Sequence, residues 1–351
     1  PPNQPPSPPP QPPPPSPPSP PPPPSLPPPP SLPPLPPGPR VVESTASLEA
    51  ALDDARAWTI SAIVLSSGQY ADRTFWTNDL SAELLVDYNV TIMALKVGTA
   101  TIRNDEDRNT AWGGRLMRIT GGAHVHLIGL RFQGGTTDGV HNDGRSFWDA
   151  GGGIAIDGGS VVQMHDCSIS NCKAEGGHGG GICIVGASAA LHDCTITGCT
   201  AEDADGGAVF VVSSAATFNG CRITGNRVTS TGNVYGNGGG MSIQELPFEN
   251  VQHLPGGMPN QITLSMCRVD HNDAVQYRPG YDSSLGKWCQ GCCVLQGGGV
   301  SIISRGSSSF VTLMDCSIND NTANHGGGAR IFPQESSTTL LIGCNIYGRC
   351  E

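Results

Sequence analysis

One fixed-order motif constrains this chain more than any other feature: an apolar residue, two residues of any kind, a cysteine or apolar residue, one more, then an aliphatic residue or Phe. It stands at Leu127/Leu130/Phe132, Met164/Cys167/Ile169, Leu191/Cys194/Ile196, Phe218/Cys221/Ile223, Leu264/Cys267/Val269, Leu313/Cys316/Ile318 and Leu341/Cys344/Ile346. Successive steps from Met164 onward are 27, 27, 46, 49 and 28 residues, so the unit is about 27 residues with insertions near 244–260 and 275–296. Each unit also carries a glycine-rich start, at Gly151–Ile154, Gly179–Ile182, Gly206–Val209, Gly238–Met241, Gly297–Val300 and Gly326–Ala329. The next apolar residue usually follows two positions later, as in Ile182/Ile184, which is strand alternation and not helical spacing. A period in this range, with several short strands per unit and no internal helix signal, predicts an all-β, right-handed parallel β-helix whose coils stack at about 4.8 Å.

The start of this region supports the same fold. Residues 46–57 have helical spacing with Ser47 as the predicted N-cap, and Ile63–Tyr70 follows as strand and turn. A capping helix there would cover the otherwise open first coil. This order resembles the N-terminal cap of the pectin-lyase-like β-helix superfamily. Within it, Gly206–Val209 is similar to the Gly-Gly-Ala-apolar motif of polymorphic outer membrane protein repeats, and Ile223-x-x-Asn226, Val269-x-x-Asn272 and Ile318-x-x-Asn321 are similar to their Phe-x-x-Asn motif.

The aligned asparagines predict a ladder of side-chain amides running from coil to coil. Cys172 and Cys199 occupy that column in the two preceding coils, close enough for a disulfide, so a bridge is predicted between them. Cys167, Cys194, Cys221, Cys267, Cys316 and Cys344 alternate with inward aliphatics and read as small buried side chains. Cys289, Cys292 and Cys293 fall in the second insertion, where loop-stapling disulfides are expected in preference to a zinc site. Thirteen cysteines point to an oxidising, extracellular setting, and their odd number leaves at least one unpaired within the chain.

Twenty-seven of the 32 prolines lie within residues 1–39. Proline fixes φ and has no N–H, so residues 1–40 are predicted to form a polyproline II rod ahead of a β-helix spanning 41–351. The Ser-Pro-Pro-Pro-Pro pattern resembles extensins and the pherophorin type of hydroxyproline-rich glycoprotein of plant and green-algal walls. That resemblance implies hydroxylation and arabinosylation at Pro8, Pro9, Pro10, Pro12, Pro13, Pro14, Pro15, Pro17, Pro18, Pro20, Pro21, Pro22, Pro23, Pro24, Pro27, Pro28, Pro29 and Pro30, with sugars at Ser16, Ser19 and Ser25. Asn89 in Asn89-Val90-Thr91 is the N-glycan sequon.

A formal charge of −11 disfavours nucleic acid as a partner. No segment is long and apolar enough to span a membrane, and Pro1 opens directly on the rod, as in a mature or trimmed form. Many β-helices of the resembling superfamily cleave acidic polysaccharides. Polygalacturonases use Asn-Thr-Asp-Gly, an Asp-Asp pair, Gly-His-Gly and Arg-Ile-Lys; this chain offers Thr136-Thr137-Asp138-Gly139 and Gly177-His178-Gly179. His178, however, shares its place before the glycine triplet with Ala150, Asp205, Asn237, Gln296 and His325, a generic turn position. The acidic runs Asp105–Asp107 and Glu202–Asp205 fall where solvated turns are expected. Asp138, His141, Asp143 and Arg145 are the remaining cleft candidates. With no convergent acid/base set visible, the expectation is a non-enzymatic structural glycoprotein of a fibre, flagellar hair or wall layer, without cofactor or metal, whose partners are its own glycans, other wall glycoproteins or further copies of itself. A polysaccharide-binding module and a pectate-lyase- or polygalacturonase-like enzyme stand as the alternatives.

Overall fold

The structure, a computed structural model, describes residues 38–71, 83–104, 114–137, 150–230, 236–245, 259–274, 280–282, 287–289, 297–304, 309–324, 326–332 and 337–350. The glycosylation positions from Pro8 to Pro30 therefore lie outside the described residues.

From the coil that starts at Met117 onward, each coil contributes a strand to sheet C, a strand to sheet A and a strand to sheet B, and most of them add a second sheet-B strand after a short turn. The coil Ile182–Val185, Ser188–His192, Thr195–Thr197 and Thr200–Glu202 is typical. Sheet A has 10 strands, sheet B 14 and sheet C 8. Pairing within these three sheets is parallel throughout, and the second insertion carries an antiparallel hairpin of Gly280–Asp282 with Lys287–Cys289.

The recurring sequence motif sets the register. Leu127, Met164, Leu191, Phe218, Leu264, Leu313 and Leu341 are Cα partners from coil to coil on sheet A. All but the last are essentially inaccessible to solvent. Truncating one such Leu to Ala costs about 2–5 kcal/mol, because neighbours above and below cannot both collapse into the gap. The glycine triplets keep the corner before sheet C thin. A Cβ at Gly180 would lie 2.4 Å from the carbonyl oxygens of both Gly207 and Thr200, so any larger residue drives the coils apart.

The asparagine ladder forms as expected. Asn226 N–H donates to Asn272 Oδ1 at 3.0 Å and Asn272 N–H to Asn321 Oδ1 at 2.9 Å, while each Nδ2 also donates to a carbonyl of a preceding coil. Cys199 N–H joins the column through Asn226 Oδ1 at 2.9 Å. Cys172 and Cys199 are free, buried thiols in this structure, and each Sγ lies within reach of a carbonyl two residues earlier, Ser170 at 3.4 Å and Thr197 at 3.6 Å. The cysteines from Cys167 to Cys316 form the expected interior column, and their thiols donate to carbonyls one coil back, for example Cys221 Sγ to Leu191 O at 3.4 Å.

The helix Thr45–Arg56 packs Leu48, Ala51 and Ala55 into the core beside the first coil, whose first strand begins at Arg40. Its N-cap is Ser44 and not Ser47. Ser47 stands at the third helical position and its hydroxyl accepts the Ser44 N–H at 2.9 Å, while Ser44 Oγ accepts the Ser47 N–H at 3.2 Å. This reciprocal serine pair satisfies two amides that a single cap would leave open.

Candidate functional site

Interior positions are consumed by packing and the ladder, so chemistry must sit on the outward-facing positions of the three sheets. Asp138, His141, Asp143 and Arg145 lie outside the described residues, as do Cys292 and Cys293. Asn89 is exposed, and its Oδ1 accepts the His124 N–H at 2.8 Å, closing the start of sheet A while Nδ2 stays outside that bond.

The outward positions of sheet C are packed away. Ala150, Cys183, Val185, Phe210 and Val212 make a second apolar cluster on that face. His178 does occupy the turn column before the triplets, since Gly151 N–H donates to His178 O and Gly179 N–H to Asp205 O. It is more than a solvated turn residue. Its ring stacks on Phe210 at 4.3 Å, and its Nδ1 accepts the Asp205 backbone N–H at 3.2 Å. Burial lowers its pKa against the opposing pull of Asp205. Asp205 was expected in a solvated run but is buried: Oδ1 takes N–H groups of Asn237 at 2.6 and 2.7 Å, and Oδ2 takes Gln244 Nε2 at 2.7 Å. These groups are committed to holding the turns together. Glu202 in the same run is bound to Lys173 at 2.7 Å.

Sheet A presents an uncharged depression, whose lining includes Gln163, Ala190, Thr217, Gln261 and Phe310. Toward its N-terminal end the rings of His165 and His192 stack at 4.7 Å.

Sheet B is the charged face, and its charges converge at one place. Arg222 and Arg268 are Cα partners in successive coils, as are Thr224 and Asp270. Asp270 has a side chain only 1% exposed, and its Oδ2 receives Arg268 Nε at 2.8 Å and Arg268 Nη2 at 2.7 Å, with Arg222 Nη2 at 3.8 Å. The next residue, His271, holds Nδ1 3.2 Å from the same oxygen. Burial works to raise the Asp270 pKa, but the hydrogen bonds of Arg268 and Thr224, the charge of Arg268 and the hydrogen bond of His271 together outweigh it and hold the carboxyl below its ordinary value. Asp270 Oδ1 is buried without a hydrogen-bond partner among the described residues.

The local backbone explains the geometry. His271 sits at φ 55°, the turn position held by Gly198 and Gly225 in the two preceding coils. That left-handed turn swings the ring outward, leaving the side chain 61% exposed, yet keeps Nδ1 over the neighbouring carboxylate. With Nδ1–H donated to Asp270, the neutral imidazole presents its Nε2 lone pair to solvent. Arg268 spends two of its five N–H donors on Asp270 and retains the others, and Arg222 lies beside it one coil away, about 4.8 Å along the axis. The cluster can thus bind a carboxylate and accept a proton next to it. Sequence reasoning missed it because Arg222, Arg268, Asp270 and His271 match no motif; the available signal was a histidine in a turn column that holds Asn171, Gly198, Gly225 and Asp320 in other coils. Among the described residues no group of three His, Cys, Asp or Glu side chains could hold a metal ion.

A family model described as the right handed beta helix region matches residues 88–245 and 152–351. No curated protein matches the chain. Among solved structures it is similar to an alginate lyase from Paenibacillus sp. str. FPU-7, with 14% identity, a TM-score of 0.33, and coverage of 88% of this chain and 99% of that one. The expectation of a non-enzymatic structural glycoprotein does not stand. It rested on the lack of convergent charged groups, which the cluster on sheet B supplies. By the match over residues 88–351, the chain belongs to the right-handed β-helix family.

Proposed function

We propose that the chain acts on an acidic polysaccharide as a lyase, with its site on the outer face of sheet B. The observation that carries this reading is the buried carboxylate of Asp270, which fixes His271 and Arg268 on one oxygen with Arg222 alongside. In a uronate chain the C5 proton becomes removable when the adjacent carboxylate is neutralised, and guanidinium groups do this through paired N–H donors. Arg268 and Arg222 take that role. His271 Nε2 accepts the C5 proton, the C5–H electron pair becomes the C4–C5 double bond, and the C4–O bond breaks. The departing oxygen takes a proton from water or from the imidazolium, which returns the histidine to its starting state.

A formal charge of −11 opposes a polyanion at long range, so a local pair of arginines is what such a substrate requires. Acidic polymers of this class lie outside cells, and the same reading places the protein there. Incubation of the purified chain with alginate, polygalacturonate and glucuronan tests it. We expect ultraviolet-absorbing unsaturated ends from at least one polymer; intact polymers, or reducing ends without unsaturation, would contradict the assignment.

A further inference from the structure

We propose that the outer face of sheet A is a separate binding site for an uncharged glycan chain. This goes beyond the lyase reading, because nothing in it requires sheet B. Side chains alternate across a strand, so the outward positions of successive coils form flat rows. On sheet A the rows dip where Ser188, Ala190 and Ala215 stand between larger residues, and the open depression offers about 660 Å³. Gln163, Thr217, Gln261 and Phe310 line it beside these small residues.

Three observations choose the occupant. No charged side chain lines the depression, so an ion gains nothing there and a polyanion would leave its carboxylates without partners. The polar groups are amides and hydroxyls, which both donate and accept, as sugar hydroxyls do. Phe310, 48% exposed at the end of the groove and beside its Cα partner Gln261, offers an open ring face for the C–H side of a sugar ring. A second copy of the chain or another protein would instead need a flat apolar area of about 800 Å² per partner, which a narrow trough floored by alanine and threonine does not offer. The volume lies within the range that holds a few sugar units.

Calorimetric titration of the full-length protein with cellohexaose, xylohexaose and galactohexaose decides the matter, with Phe310→Ala, Ala190→Trp and His271→Ala measured beside the wild type. We expect at least one neutral hexasaccharide to bind, with affinity lowered tenfold or more by Phe310→Ala and abolished by Ala190→Trp, whose ring fills the trough from an outward position. His271→Ala should leave this binding unchanged, which separates it from the sheet-B site. The proposal is overturned if none of the three sugars binds, if Ala190→Trp binds as the wild type does at an unchanged melting temperature, or if sedimentation shows a dimer that Ala190→Trp dissolves.

Discussion

Sheets A and B are built by the same coils over the same interior, yet their outer faces have opposite chemistry. On sheet A the outward rows read Val161, Ser188, Ala215 and Gln163, Ala190, Thr217, without a charge. On sheet B the coils carry Arg222, Arg268 and Asp270, and Lys173 lies between Glu175 and Glu202 at 2.6 and 2.7 Å. The interior is tied to coil stacking, so it repeats. The outward positions meet water whatever they are, so they are free to differ, and both proposed sites lie on them.

The largest expected effect comes from breaking what both faces share. Asn272→Ala removes the acceptor of Asn226 and the donor to Ile223 O, leaving buried backbone groups unpaired. We expect a loss of about 3 kcal/mol or more, read as a lowered midpoint in urea, with both sites failing together. An unchanged midpoint would show that the ladder is not what holds the faces in register.

Changes confined to sheet B should be selective. His271→Ala and Arg268→Ala are each expected to lower kcat/KM on a polyuronate by about a hundredfold, or roughly 2.7 kcal/mol of transition-state stabilisation, with the melting temperature shifted by only a few degrees. Arg268→Lys should recover part of the KM but little of the loss, since a point charge does not replace the guanidinium fork.

The Asp270 carboxyl gives a smaller, pH-dependent effect. Its folded pKa is depressed, so its stabilising contribution is fully present above the unfolded value of about 4 and is lost as pH falls through the lower folded value. Acid unfolding curves of Asp270→Asn and the wild type should therefore be fully separated above pH of about 4, draw together as pH falls below it, and meet only below the depressed folded value. The smallest effect belongs to sheet A: Phe310→Ala should leave polyuronate cleavage within about twofold, because a residue outside the reacting face contributes no transition-state binding.

The sequence revealed the interior far better than the site. Met164, Leu191 and Phe218 recur because each must pack on the coil before it, and that constraint shows as a period; Asn226, Asn272 and Asn321 recur for the same reason. Arg268 and His271 meet no such constraint in other coils, so no period marks them. Asp205 was misread because its exposure depends on Asn237, 32 residues later, folding onto it. A serine directly before the apolar spacing makes Ser47 look like the cap, whereas the helix begins a few residues earlier at the Ser44–Ser47 pair.

The most direct test of the division between the faces is a crystal structure of the His271→Ala variant with a bound oligouronate of four to six units. The account predicts a uronate carboxylate within hydrogen-bond distance of Arg268 or Arg222 on sheet B, with a C5 atom facing position 271. An oligouronate lying in the uncharged trough of sheet A, or against His178 and Asp205 beside sheet C, would contradict it.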